Sequence, residues 1–218
     1  MGDGRTTAPS ASDSDCLLLQ FAREPVPGRV KTRMLVQLSA EQACELHSDM
    51  VLWTCERLVG ARLGDVEVCV AGSRQHPLFR QCLALGAARV TQQRGADLGE
   101  RMFAALERGL TGYRKVLLVG SDCPQLDADY LQAALDALDE VPVVIGPALD
   151  GGYVLIGAQQ MDRRIFQAVP WGSGEVYAQT LANIAAAGLA VSSLQPLADV
   201  DTPGDLPVWN ALRRQTLP

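Results

Sequence analysis

The sequence predicts a single α/β domain around a mixed, mostly parallel sheet, and three observations carry that expectation. Apolar strand-like runs alternate with helical patterns over most of the 218 residues, which favours parallel strands covered by helices on both faces. The stretch KVLLVG, ending at Gly120, is a near-continuous apolar run of the kind a strand shows when buried on both faces. Hydrophobic residues make up 48% of the chain, enough for one sizeable core, and no internal repeat or linker divides it.

The elements follow in order. Residues 1–15 are rich in Gly, Ser, Thr, Asp and Ala and lack an apolar signal segment, so they read as a disordered tail ahead of a domain spanning 16–218. Strands are predicted at Cys16–Ala22, Val66–Ala71, Lys115–Val119, Val141–Ile145, Tyr153–Gly157 and Leu189–Ser192. Helices are predicted at Ala40–Val59, Pro77–Leu85, Gly99–Gly109, Ala128–Leu138 and Val176–Ala187. Ser39 followed by Gln42 makes a capping box for the first helix, and Pro77 suits the first turn of the second. The short return through GPALDGG, from the fourth strand to the fifth, predicts a hairpin and therefore a mixed sheet.

Composition narrows the function. No apolar run reaches membrane-spanning length, so a soluble cytoplasmic protein is expected. A net charge of −6 argues against a general nucleic-acid binder. Six cysteines at irregular spacings, without a CxxC pair, suggest reduced thiols that pack as small hydrophobes; Cys123 is read in the same way. With only His47 and His76, both outside the site-like segments, a His-rich zinc site is not expected.

Four segments carry chemistry besides a fifth feature, Asp122, which follows the buried third strand. A carboxylate there sits at the carboxyl end of a central strand, where open α/β sheets bind ligands; Pro124 and Asp127 then start a helix. In FAREPVPGRVKTRM, Pro27 and Gly28 shape a loop that presents Arg23, Arg29, Lys31 and Arg33. An extended loop would put Arg29, Lys31 and Arg33 on one side, ready to wrap phosphate oxygens. In QQRGADLGERM, Gly95, Asp97 and Gly99 precede a helix whose N-terminus suits either a phosphate or a simple acidic cap. In GPALDGGYVLIGA, Asp150 precedes Gly151 and Gly152, which permit close approach, and Tyr153, which can stack on or hydrogen-bond a sugar or acceptor. In LADVDTPGDL, Asp199 and Asp201 alternate, so a regular strand would send only one toward Asp122; Thr202 or Asp205 caps the last short helix. Oxygen-only ligands at Asp122, Asp199 and Asp201 suit Mg²⁺ or Mn²⁺. The inventory fits transfer chemistry at a nucleoside di- or triphosphate.

FAREPVPGRVKTRM, GADLGERM, GSDCPQL, GPALDGGYVLIG, PWGSGEV and DVDTPGDL resemble, in order, the motifs of a bacterial family of glycosyltransferase-like, radical-SAM/selenodomain-associated transferases linked to arsenosugar biosynthesis. That family is similar to phospholactate and molybdenum-cofactor guanylyltransferases within the nucleotide-diphospho-sugar transferase (GT-A) superfamily. The resemblance covers about residues 16–212. It implies a three-layer, Rossmann-like GT-A sheet with the first loop against nucleotide phosphates and Asp122 at a divalent metal near the DVDTP segment. It also implies that Asp150, Gly151, Gly152 and Tyr153 face the acceptor or sugar, bordered by Trp171 and Gly172. Arg23, Ser173 and Gly204 depart from the family pattern, where Lys, Thr and an acid are frequent; the first two substitutions keep charge or hydroxyl.

Three functions compete. The first is a metal-dependent glycosyltransferase using a nucleotide sugar and a small-molecule acceptor, with Asp122, Lys31 and Asp150 as the catalytic candidates and Asp150 positioning or deprotonating the acceptor. The second is a nucleotidylyltransferase that joins an NTP to a phosphorylated small molecule, favoured by the dense basic loop. The third is a non-catalytic nucleotide-binding module, disfavoured by the intact carboxylates. Trp53, Trp171 and Trp209 suit the core first, with a homodimer interface left open.

Overall fold

The computed structural model describes residues 14–216. The tail expected at 1–15 therefore lies outside the described residues, except for Ser14 and Asp15. The Asp15 carbonyl accepts hydrogen bonds from the N–H groups of Arg114 and Lys115 at 2.9 and 3.1 Å, so the chain is already docked there.

Seven strands form one sheet: β1 (Cys16–Arg23), β2 (Asp65–Ala71), β3 (Arg89–Gln92), β4 (Lys115–Val119), β5 (Val143–Pro147), β6 (Tyr153–Ala158) and β7 (Val191–Ser193). Their spatial order is β3-β2-β1-β4-β6-β5-β7. β1 pairs in parallel with β2 and β4, β2 with β3, and β5 with β7. Only β6 runs antiparallel to its neighbours β4 and β5, as the short GPALDGG return requires. The sheet is mixed and mostly parallel, as expected.

Among the described residues are six α-helices, the first five of which cover the sheet: α1 (Ala40–Ala61), α2 (Pro77–Leu85), α3 (Leu98–Leu110), α4 (Ala128–Glu140), α5 (Val176–Ala186) and α6 (Leu206–Thr216). Ser39 and Gln42 form the capping box of α1, Pro77 opens α2, and Asp127 accepts the Tyr130 N–H to cap α4. Strand alternation sorts the core into two layers. Leu18, Val68 and Leu117 face one side with Val51 and Leu58 of α1 and Leu131 of α4. Leu17, Leu19 and Leu118 face the other with Leu106 of α3 and Ile184 of α5. A third cluster joins Met50 of α1 to Val200 and Trp209, so α6 packs on α1 away from the sheet. No helix among the described residues is long and apolar enough to cross a membrane.

Two differences from the expected elements have physical causes. β3 is absent from the predicted set because it is a four-residue, half-exposed edge strand, RVTQ, without apolar alternation. It is held by side chains as well as by its ladder, for Arg89 and Thr91 both donate to the buried Glu67 carboxylate of β2. β5 begins at Val143 instead of Val141, because α4 runs on to Glu140 and the Val141 N–H still bonds to the Ala137 carbonyl.

Candidate active site

β1 and β4 end side by side, and the loops that leave them are stitched together. Ser121 Oγ donates to the Phe21 carbonyl at 2.8 Å and accepts from Gln20 Nε2 at 3.0 Å. Asp122 follows at the carboxyl edge of the sheet, with its side chain 49% exposed. Its carbonyl accepts the Val200 N–H at 2.8 Å, which brings the DVDTP segment to the same edge. Lys31 closes the ring: Nζ donates to the Val200 carbonyl at 2.5 Å and lies 2.6 Å from Asp122 Oδ1. Three segments far apart in sequence thus meet on one buried ammonium.

The basic loop is not extended as the sequence suggested. Gly28 (φ 75°) and Lys31 (φ 48°) each turn the backbone through the left-handed region, and Thr32–Val36 continues as a 3-10 turn. A bulky lysine in that region carries strain that persists only where surroundings over-determine it, and here the buried ammonium supplies that constraint. Arg33 pairs with Asp201, Nη1 to Oδ2 at 2.7 Å. Arg23, Arg29, Lys31, Arg33 and Arg101 nevertheless all line one cavity of about 460 Å³. Pro27 and Gly28 shape the turn without lining that cavity.

A second cavity of about 350 Å³ adjoins the first and shares Gly120, Asp122, Arg33 and Asp201 with it. Asp150, Gly152, Tyr153, Trp171, Gly172 and Asp199 line it. Asp150 Oδ1 accepts the Gly152 N–H at 2.8 Å, and Gly151 (φ 90°) lies so close to Gly174 that a Cβ there would meet its carbonyl oxygen at 2.1 Å. Tyr153 and Trp171 stand edge to face, with centroids 6.4 Å apart and planes at 79°. The Tyr153 hydroxyl points inward to Met102 Sδ at 3.8 Å, leaving the ring available for stacking, and burial raises its pKa above the usual phenol range.

The GADLG segment divides in the structure. Asp97 lines the first cavity while its Oδ1 caps α3 through the Glu100 N–H at 2.8 Å. Gly95 (φ 142°) packs on the start of α3, where a Cβ would meet the Arg101 nitrogen at 2.7 Å. Gly99 is buried below Trp171 and Phe166, whose atoms a Cβ would meet at 2.9 and 3.0 Å. Packing therefore accounts for both glycines.

The carboxylates gather on the same edge. Asp199 and Asp201 both line the second cavity with Asp122, because the 197–202 segment follows no regular strand that would send them apart. Burial first, and then Asp150, Asp201 and Asp122, raise the Asp199 pKa above its ordinary value. Asp122 Oδ1 is buried and meets Lys31 at an angle that misses hydrogen-bond geometry. Among the described residues, no three His, Cys, Asp or Glu side chains are arranged to hold a metal ion by themselves. The oxygen-only donors Asp122, Asp199 and Asp201 fit a hard divalent ion completed by substrate phosphate and water, not an all-protein cage. Cys123 is buried beside Asp122, and desolvation pushes its thiol to about 12, which matches a packing role.

Several lining residues escaped the motif reading. His47 of α1 lines the first cavity; its Nε2 lies 3.0 Å from the Arg23 carbonyl, and burial lowers its pKa. Gln93 lines the same cavity and its Nε2 donates to the Ala22 and Cys69 carbonyls, bracing the end of β1. His47 lies in an amphipathic helix outside the motifs, whereas Gln93 stands inside QQRGADLGERM with no charge or glycine to single it out. Phe21, Leu98 and Met102 form the apolar wall of the second cavity.

Comparison with known proteins agrees with this architecture. Over residues 54–173 the chain matches the family described as "Uncharacterized protein conserved in bacteria (DUF2064)". A solved structure from Desulfovibrio desulfuricans G20, provisionally named a nucleotide-diphospho-sugar transferase, is 30% identical with a TM-score of 0.78, and the match covers 93% of this chain and 98% of that one. CMP:2-keto-3-deoxy-manno-octonic acid synthetase in complex with CTP is 16% identical with a TM-score of 0.57, covering 94% and 100% of the two chains. The 4-diphosphocytidyl-2C-methyl-D-erythritol synthase of Anaerococcus prevotii DSM 20548 is 8% identical with a TM-score of 0.62, covering 92% and 99%. These last two share the fold with this chain. No curated protein matches the chain. With over half its length in the family match and a 30% identical relative along nearly all of it, the chain belongs to the bacterial DUF2064 family and has the nucleotide-diphospho-sugar transferase fold.

Proposed function

We propose that this transferase moves a glycosyl group from a nucleoside-diphospho-sugar to a small-molecule acceptor. The observation that carries the reading is the pair of adjoining cavities meeting at Asp122: one is lined by five cationic side chains, the other by carboxylates and aromatic rings. The first suits a diphosphate and the second a sugar with its acceptor. The relative from Desulfovibrio desulfuricans carries the same kind of name. The ordered motifs support a finer placement among the radical-SAM/selenodomain-associated, arsenosugar-linked transferases.

In this reading Arg23, Arg29 and Arg33 meet the diphosphate oxygens, Arg33 exchanging its contact with Asp201 for phosphate, while Lys31 supplies a fixed positive charge. Asp150 orients the acceptor hydroxyl and takes its proton as the acceptor oxygen bonds to the anomeric carbon and the diphosphate departs. Asp122 with Asp199 or Asp201 would hold Mg²⁺ or Mn²⁺, which neutralises the leaving diphosphate when bound. The acidic net charge of −6 supports small-molecule substrates over nucleic acid, and the free, mostly buried cysteines accord with a cytoplasmic setting.

Nucleotidylyl transfer is the second reading, and the five cations of the first cavity favour it because a triphosphate needs more positive charge. One assay separates the two. Protein with Mg²⁺, a panel of nucleotide sugars or NTPs, and hydroxyl or phosphate acceptors is expected to release nucleoside diphosphate from nucleotide sugars; pyrophosphate from NTPs without diphosphate would reverse the assignment. Nucleotide binding without either product across that panel would favour the non-catalytic module.

A further inference from the structure

The second cavity has a charge pattern that says what it admits. Among the described residues, Asp122, Asp150, Asp199 and Asp201 line it against a single cation, Arg33. That guanidinium is held by Asp201 at 2.7 Å and is taken up by the donor diphosphate in the glycosyl-transfer reading, and Lys31 turns its ammonium to Asp122 and Val200. The remaining wall is apolar: Phe21, Leu98, Met102 and Trp171, with Tyr153 set at right angles to Trp171. A phosphate or carboxylate entering this space would leave water without an arginine or lysine of its own to meet, among four carboxylates of its own sign. Buried anions need such a partner, and the penalty for lacking one is large. Carboxylates committed to a divalent ion do not change this, because the donor diphosphate brings matching negative charge.

We infer that the acceptor is a small hydroxyl compound without phosphate or carboxylate, presenting an apolar or positively charged flank to the Tyr153–Trp171 corner. A flat apolar flank stacks on the rings, and an ammonium or other onium group gains from both the ring faces and the neighbouring carboxylates. This rests on the glycosyl-transfer reading for the word acceptor, but the charge preference belongs to the cavity itself.

The test is therefore a binding measurement that does not depend on turnover. The full chain, saturated with a nucleoside diphosphate and Mg²⁺, is titrated with matched pairs, choline with phosphocholine and glycerol with glycerol 3-phosphate. Fluorescence from Trp171 is isolated by subtracting the response of Trp171→Phe. The unphosphorylated member of each pair should bind at least about tenfold more tightly, the factor expected when an anion lacks a charged partner. Ser173→Lys adds a cation to the same wall and should narrow the gap at least about threefold, as a new charge-assisted contact would. A phosphate ester that binds as well as its parent, or no Trp171-dependent signal with either pair, overturns the inference. The two readings fail separately: diphosphate release onto a phosphorylated acceptor would keep glycosyl transfer and overturn this inference, whereas pyrophosphate release from NTPs would overturn glycosyl transfer and leave the measured preference standing.

Discussion

Trp53 Nε1, on α1, donates a hydrogen bond to the Pro124 carbonyl at 3.1 Å, tying the longest helix of the fold to the turn that carries Asp122. Trp53 also packs edge-on against Trp209 of α6, with centroids 5.4 Å apart, so α6 braces that turn at one remove. Trp53→Phe keeps much of the packing and removes the donor. The loss should be about 1 kcal/mol of stability, and thermal denaturation should show a midpoint lower by roughly 2–4 °C. Turnover should fall more than nucleotide affinity, since the bond positions Asp122 and not the cationic loop; equal losses would argue against a positioning role.

Lys31 is buried and shared between Val200 and Asp122. Lys31→Met should weaken nucleoside-diphosphate binding by at least about tenfold, the size of one lost charge-assisted contact. Lys31→Arg should not restore it, because a planar guanidinium does not fit the space of a compact ammonium. Calorimetric titration at two salt concentrations checks both variants, and the wild-type affinity should fall as salt rises.

Asp199 provides a pH signature. Its folded pKa lies above the ordinary 3.8, through burial and then the neighbouring Asp150, Asp201 and Asp122. A raised carboxyl contributes stability that is fully present below 3.8 and is lost as pH rises through the folded value. Asp199→Asn removes that loss. Without divalent ions, the variant should be more stable than the wild type at pH 7, with the gap closing toward pH 4, while turnover falls. Thermal melts across this range test the sign.

Glu67 shows the opposite linkage away from the site. Burial alone would raise its pKa, but hydrogen bonds from Arg108, Thr91 and Arg89 outweigh it and hold the carboxylate at about 2 against an ordinary 4.5. Its stabilisation is present above pH 4.5 and is lost as pH falls toward 2. The difference corresponds to at most about 3 kcal/mol, and denaturant titrations between those pH values should show that decline. Glu67→Gln should flatten it and loosen β3, the edge strand that Arg89 and Thr91 hold.

Much of this fold is legible because its signals are local. The apolar run of β4, the Ser39–Gln42 box and the Asp127 cap each declare themselves within a few residues. β3 does not, since its identity lies in contacts with Glu67 that are distant in sequence. The site divides in the same way. Asp122, Lys31 and Asp201 stand out as charged residues in loops after strands, and the fold brings them together. The turned path of the basic loop depends on Lys31 reaching Val200, a bond across 169 positions that no local pattern contains. Gly99 reads as a phosphate approach in one dimension, and its close packing under Trp171 and Phe166 appears only in three.

The ring through Lys31, Asp122 and Val200 also bears on how the protein is made. Its first member emerges early from the ribosome, its second midway, and its third only when the DVDTP segment has been synthesised. Until then the Lys31 ammonium lacks the carbonyl that fixes it, and the carboxylate cluster is incomplete. A nascent chain stopped before residue 197 could lay down β1 and β4, yet it would carry no finished site. Such a chain would keep Asp122 at the end of β4 but lack Asp199 and Asp201 beside it and the Val200 carbonyl that holds Lys31.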